Sequence, residues 1–243
     1  MLVLSRKIRS AVKRYDFESA FLVGPQGMGK TTYGMLVLYE IYRDWDLVLH
    51  YTVFDPRPVL YELKECLTTG RRIPTILFDD AGIHLSKYLP QIEGNAELVM
   101  VLNATYNLIR TVTGGVIFTS PDMDILKELR KKSWWIGTPT APHGREHPKR
   151  YLVLYRKRIM PTGHTRVYRS AEDEYWLTMI PGDVRKEYED KRRDALLPVI
   201  DRLIDLLDSG GKKTKIAYKM LKKAWNISDS YVKKYIKSMG IAH

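Results

Sequence analysis

Apolar residues recur along the chain in two rhythms, and the change between them divides it. Over residues 2–15, Leu2, Leu4, Ile8 and Val12 stand among Arg6, Lys7, Arg9, Lys13 and Arg14, the pattern of a basic amphipathic helix. Short apolar runs then alternate with longer helical patterns. Residues 21–23 read as a strand halted at Gly24, 31–43 as a helix, 47–54 as a second strand, 58–67 as a helix, and 75–78 as a third strand ending in Asp79 and Asp80. A helix over 96–112, a strand over 115–119 and a helix over 121–131 opened by Pro121 follow. This alternation predicts an α/β fold, a parallel sheet flanked by crossover helices. Beyond Trp134 the rhythm changes: 151–158, 165–169 and 175–180 are strand-like and joined by short polar turns, which predicts an antiparallel element. Pro181 opens a charged helix to about 197 that continues past Pro198 to 207, and Ser209, Gly210 and Gly211 form a flexible joint. The expected organisation is a basic helix (1–16), an α/β core with a β-rich extension from about 138 (17–180), a connecting helix (181–208) and a basic helical segment (209–243).

Charge changes the picture by pointing to a partner. The 243 residues carry 40 Lys and Arg against 28 Asp and Glu, a net +12, which favours a polyanion as ligand. With 44% hydrophobic residues the chain can bury a core, which excludes a disordered basic tail protein. Residues 209–243 hold nine lysines and one acid, net +8 of that +12. One cysteine, Cys66, permits no internal disulfide, the first residues lack a secretory apolar run, and no window reaches the ~18 apolar residues of a membrane span. The expected location is therefore intracellular, in the cytoplasm, with no membrane partner.

The chemistry begins at Gly24-Pro25-Gln26-Gly27-Met28-Gly29-Lys30-Thr31, a full G-x-x-x-x-G-K-[ST] match lying between an expected strand and an expected helix. Glycines let backbone N–H groups curl around phosphate oxygens, and the helix that follows offers its positive end. Gly24 through Thr32 are thus the candidate nucleotide-binding residues, with Lys30 reaching the terminal phosphates and Thr31 holding Mg2+. The strand 75–78 delivers Asp79 and Asp80 at its end, in the manner of a Walker B element. Asp79 is expected to hold Mg2+. Asp80 stands where a glutamate often polarises the attacking water, one methylene shorter. Thr119 or Ser120, ending the 115–119 strand, either senses the terminal phosphate or caps the next helix. Arg110 and Arg130 are candidate fingers reaching a phosphate on a neighbouring subunit, or otherwise solvent-facing arginines.

In the tail, 214–225 and 228–239 read as two helices across a turn at Asn226 and Ile227, a helix-turn-helix pattern. The second helix would place Ser228, Ser230, Tyr231, Lys233, Lys234 and Lys237 in a major groove, while Lys212, Lys213 and Lys215 meet phosphates. A basic hairpin docked on the core, or an oligomerisation arm, shares this pattern. Basic and aromatic residues also mix at 131–135 and 149–157, where they line a DNA path or clothe strands. His143, His147 and His164 have no companion ligands at metal spacing.

The segments Gly24 to Thr31, Ile76 to Asp80 and Val116 to Ser120 together resemble the additional-strand P-loop ATPases, over about residues 17–137. The terminal helix-turn-helix and the Thr119-Ser120 strand end resemble the replication initiators and helicase loaders of the DnaA and DnaC type, of which archaeal viruses and plasmids carry small forms. The β-rich stretch and Arg130 resemble the DNA-pumping ATPases of the FtsK and zonula-occludens-toxin type. Either resemblance implies ATP and Mg2+ as ligands, ATP hydrolysis, duplex DNA as partner and a homo-oligomer. The first adds a helicase or another replication protein as partner and implies an initiator-like or loader-like switch. The second implies a translocase or packaging motor, and a third possibility is a DNA-binding regulator that uses ATP only as a ligand.

Overall fold

Seven strands share one sheet in this computed structural model, which describes residues 1–79, 106–121 and 133–208. In chain order they are β1 (Glu18–Val23), β2 (Thr52–Val53), β3 (Ile76–Phe78), β4 (Gly115–Ser120), β5 (Trp135–Thr140), β6 (Lys149–Ile159) and β7 (Thr165–Trp176). Across the sheet the order is β2-β3-β4-β1-β5-β6-β7. The first five are parallel neighbours, and β6 and β7 continue the sheet antiparallel. The described helices are α1 (Val3–Lys13), α2 (Lys30–Tyr42), α3 (Trp45–His50), α4 (Pro56–Thr69), α5 (106–112) and α6 (Gly182–Asp208). The chain is thus mixed α/β with a mostly parallel sheet flanked by helices.

Burial follows position. All six residues of β4 are buried, as a strand covered on both faces requires. Phe78 and Phe118 stack at 5.3 Å across β3 and β4, and Tyr106 of α5 stacks on Phe118 at 6.1 Å. Asp173 joins three elements: its carboxylate accepts from the Val3 N–H at 2.9 Å and from the Tyr33 hydroxyl at 2.6 Å. Burial, and then the Asp173 charge, hold the Tyr33 phenol well above its ordinary pKa.

Several elements depart from the expected pattern for identifiable reasons. The apolar run 47–54 divides into helix α3 and the two-residue β2. Asp44 caps α3, accepting from the N–H groups of Asp46 at 2.8 Å and Leu47 at 3.2 Å, and this local cap overrides the β propensity of Leu47–Leu49. The run 165–169 and the start of the run 175–180 belong to one strand, β7, with a register shift between Leu154 and Tyr155 of its partner, and the rest of the second run forms a 3-10 turn, Leu177–Met179. Strand β5 went unread because Gly137 and Pro139 look like turn residues. Gly137 is required by crowding, since a Cβ there would lie 2.5 Å from Leu22. Pro139 falls beyond the last β1 pairing, Leu22 with Gly137, where no β1 partner demands its N–H. The helix expected over 121–131 and the start of that expected over 96–112 lie outside the described residues.

Candidate nucleotide site

Strand β1 ends at Val23 and the chain turns through the glycine loop into α2, whose first residue is Lys30. Gly27 and Gly29 adopt φ of +75° and +86°, a region that side chains resist. Gly29 has a second constraint, because a Cβ there would sit 2.5 Å from the Leu177 side chain and 3.1 Å from the Tyr175 hydroxyl. That hydroxyl donates to the carbonyl of Gly29 at 3.1 Å. The end of β7 therefore braces the back of the loop. Burial raises the Tyr175 phenol above its ordinary pKa and keeps it protonated as a donor.

Lys30 is nearly buried and folds over its own loop, donating from Nζ to the carbonyls of Gly24 at 2.7 Å and Pro25 at 2.9 Å. Its ammonium therefore lies at the concavity of the loop, beside the α2 N-terminus, where an anionic group gains most. Asp79 is fully buried at the end of β3 and is the convergence point of the site. Its Oδ1 accepts from Thr31 Oγ1 at 2.8 Å and Thr119 Oγ1 at 2.5 Å, and its Oδ2 accepts from the Tyr188 hydroxyl at 2.5 Å. Three hydroxyl donors satisfy a carboxylate that burial alone would penalise. Thr31 and Asp79 offer the hard oxygen ligands that Mg2+ takes.

The fold gathers Thr31 and Thr119 on Asp79, with Lys30 beside them on the loop. Ser120 is buried at the same strand end, and Gly24 accepts Lys30 from within the loop. Gln26, Gly27 and Thr32 line the cleft, and the carbonyl of Met28, itself buried, accepts from the Tyr175 hydroxyl at 3.3 Å. Arg110 is exposed on α5, which leads into the start of β4 and thus lies toward the opposite end of that strand from Thr119. Asp80, Arg130, Lys212, Lys213, Lys215, Ser228, Ser230, Tyr231, Lys233, Lys234 and Lys237 lie outside the described residues.

Opposite the loop, Leu177, Ile180, Arg185, Tyr188, Glu189 and Arg192 form the second wall of a cleft of about 340 Å³. Sequence reasoning assigned this helix a connecting role and missed the wall. Val184 and Tyr188, four apart in the charged helix α6, and Ile180 four residues before them are all buried, and this spacing is the signal that could have found it. Lys191 anchors α6 on α3 by donating to the Leu49 carbonyl at 2.5 Å, and burial lowers its pKa.

The fold and the cleft define a class: an α/β protein that presents a glycine-rich loop, a lysine and a buried carboxylate at the ends of parallel strands. No family model matches the sequence. The chain is 33% identical over 224 residues to "Uncharacterized protein B-251" of Sulfolobus spindle-shape virus 1, covering 87% of this chain and 88% of that protein, and it belongs to the family of that viral protein. It is also 25% identical over 168 residues to "Uncharacterized protein ORF286" of Acidianus two-tailed virus, spanning 68% of this chain and about half, 52%, of that protein.

Proposed function

We propose that the protein is an Mg2+-dependent P-loop ATPase that binds duplex DNA as a homo-oligomer, acting as a replication-initiator-like or helicase-loader-like switch of an archaeal virus within the host cytoplasm. The observation that carries the reading is the convergence of Thr31 and Thr119 on buried Asp79 beside a loop whose lysine already lies in the concavity. Strand order adds support: β4 is interposed between the loop strand β1 and the acidic strand β3, as an additional strand. Thr31 and Asp79 are the residues that would hold Mg2+, which would supply charge neutralisation at the terminal phosphates. Lys30 exchanges its loop carbonyls for phosphate oxygens, the loop N–H groups bind the remaining oxygens, and Thr119 reports the state of Asp79 to the sheet. Asp80 is assigned to orient the attacking water, Arg110 or Arg130 to complete a neighbour's site, and the 209–243 tail to bind DNA. Among the described residues no helix is long and apolar enough to cross a membrane.

The antiparallel strands appended after β5 favour a second reading, a translocase or packaging motor. Steady-state ATP turnover with and without duplex DNA, with Lys30→Ala as the blank, separates the two. Slow turnover that barely responds to DNA, with ATP-dependent assembly on it, identifies the switch. Fast turnover strongly stimulated by DNA identifies the motor. Lys30→Ala is expected to lower turnover at least ~100-fold, by loss of preorganised charge at the phosphates. Turnover equal to wild type in Lys30→Ala would sink the nucleotide assignment.

A further inference from the structure

We propose that the distal part of the β6–β7 ribbon, residues 155–169, is a docking surface for duplex DNA, separate from the C-terminal tail. The ribbon leaves the body of the protein. Pairing of β5 with β6 ends at Trp135 and Arg156, whereas β6 and β7 remain paired out to Ile159 and Thr165. Residues 158, 159 and 161–170 are all exposed. Five residues beyond the bulge extend about 17 Å at the usual strand rise.

Its charge is one-sided. Residues 155–170 contain Arg156, Lys157, Arg158, Arg166 and Arg169 and no Asp or Glu. Register sorts these residues by face, because cross-strand partners point the same way and successive residues alternate. Arg156 pairs with Tyr168 and Arg158 with Arg166, so three guanidinium groups and a phenol share one face. Like charges directly opposite each other destabilise a ribbon. A hairpin that merely met solvent would gain nothing from the Arg158 and Arg166 pair, whereas one that meets phosphates turns the repulsion into attraction. Arg169 has a neighbouring acid, Glu172. Ile159, Val167 and Tyr168 are 61%, 51% and 44% exposed, apolar surface with no core to join.

The root is fixed. The Arg156 guanidinium lies 5.2 Å over the Trp135 ring, and the buried Trp135 donates its indole N–H to Glu18 at 2.9 Å. The same face of β6 carries Leu152 and Leu154, and the Asp173 side chain opposite Leu152 meets α1. The exposed Arg6, Arg9 and Lys13 of α1 are therefore on the side of the sheet that the three ribbon arginines face. A two-stranded antiparallel ribbon fits the major groove of duplex DNA, and arginine recognises phosphate in a two-pronged manner.

The ribbon runs toward the end of the sheet opposite the glycine loop, since β6 is antiparallel to β5 and pairs Arg156 with the start of that strand. DNA on the ribbon therefore leaves the nucleotide cleft open. This surface deepens the duplex-binding part of the proposed function and rests on it.

The test is the affinity of the full chain for a labelled random-sequence duplex of about 25 base pairs, titrated between about 0.05 and 0.2 M salt. Arg158→Gln/Arg166→Gln is compared with wild type and with Arg158→Lys/Arg166→Lys. Each phosphate no longer neutralised takes about 0.9 from the slope of log affinity against log salt, so the Gln pair should flatten it by about 1.8 and bind some 10- to 60-fold more weakly near ~0.1 M salt. The Lys pair should keep the wild-type slope, both pairs should keep the DNA-free ATP turnover, and the Gln pair should melt at or slightly above wild type because the Arg158 and Arg166 repulsion is gone. A Gln pair whose salt curve superimposes on wild type overturns the ribbon and leaves the tail as the duplex-binding element. A wild-type chain that ignores duplex, or prefers single strands, overturns both the ribbon and the duplex reading.

Discussion

One wall of the cleft comes from the parallel half of the sheet and the other from the antiparallel addition and α6, and the two are built on different principles. The first wall is contiguous: the loop, Lys30 and Thr31 occupy one short stretch, with Asp79 and Thr119 supplied by strands that the parallel order sets close by. The second wall gathers Tyr175, Leu177 and Tyr188, which reach back over 100 residues to touch Gly29 and Asp79. The first wall carries the groups that would meet phosphate. The second holds them in position. A local motif on one wall is thus braced by Tyr175, Leu177 and Tyr188, side chains brought in from far along the chain.

Gly29 lies on the seam, and replacing it tests the brace with the largest expected effect. Gly29→Ala would place a methyl 2.5 Å from Leu177 on a backbone at φ +86°. Gly27→Ala meets a similar backbone strain at φ +75° with no atom within 4 Å. Left-handed strain costs each about 1–2 kcal/mol, and overpacking adds about 1–3 kcal/mol to Gly29 alone. Chemical denaturation should therefore rank Gly29→Ala clearly below Gly27→Ala, with ATP binding lost in the former. Equal stabilities for the two variants would mean that β7 does not brace the loop.

The contrast between the walls also explains what was legible. The loop motif could be read because its glycines, lysine and threonine have fixed spacing, and Asp79 because it ends an apolar strand. The parallel sheet was legible for the same reason. Strand β5 was hidden by Gly137 and Pro139, whose roles depend on Leu22 and on where β1 stops pairing, neither of which is a local property. Helix α3 was hidden because Asp44 acts through a cap that a strand propensity obscures. Tyr188 was hidden by the charges around it, although its four-residue spacing from Val184 marked a buried stripe. Side chains that act across the fold leave only such periodic traces.

A smaller effect is expected at Tyr188, where the second wall touches the carboxylate of the first. Tyr188→Phe keeps the ring, which packs 5.7 Å from Phe54, and removes the donor to Asp79 Oδ2. Loss of a buried hydrogen bond to a charged group costs about 1.5–3 kcal/mol, visible as a lower denaturation midpoint. Turnover should fall by up to ~10-fold, because Thr31 and Thr119 still hold the other oxygen. A loss as deep as that of Lys30→Ala would make Tyr188 part of the phosphate chemistry itself and erase the division between the walls.

The smallest effect in the working range is a pH dependence that appears only in alkali. Burial first of all raises the phenols of Tyr33 and Tyr175 at the seam, and those of Tyr42 and Tyr51 within the parallel half, above their ordinary value of 10.0. A folded-state pKa above the unfolded one gives stability that is fully present below pH 10 and lost as pH rises through the folded values. These groups therefore leave stability flat near neutrality and erode it above about pH 10. Tyr33 and Tyr175 meet edge to face at 5.3 Å, while Tyr42 stacks on Tyr51 at 5.0 Å, so the two pairs report on different regions. Both Tyr175→Phe and Tyr42→Phe should raise the alkaline unfolding midpoint relative to their own neutral stability, followed by tyrosinate absorbance. Only Tyr175→Phe should also weaken ATP binding at pH 7, because it removes the donor to the Gly29 carbonyl. If Tyr42→Phe weakens ATP binding equally, the loop is held by the parallel half as much as by the brace.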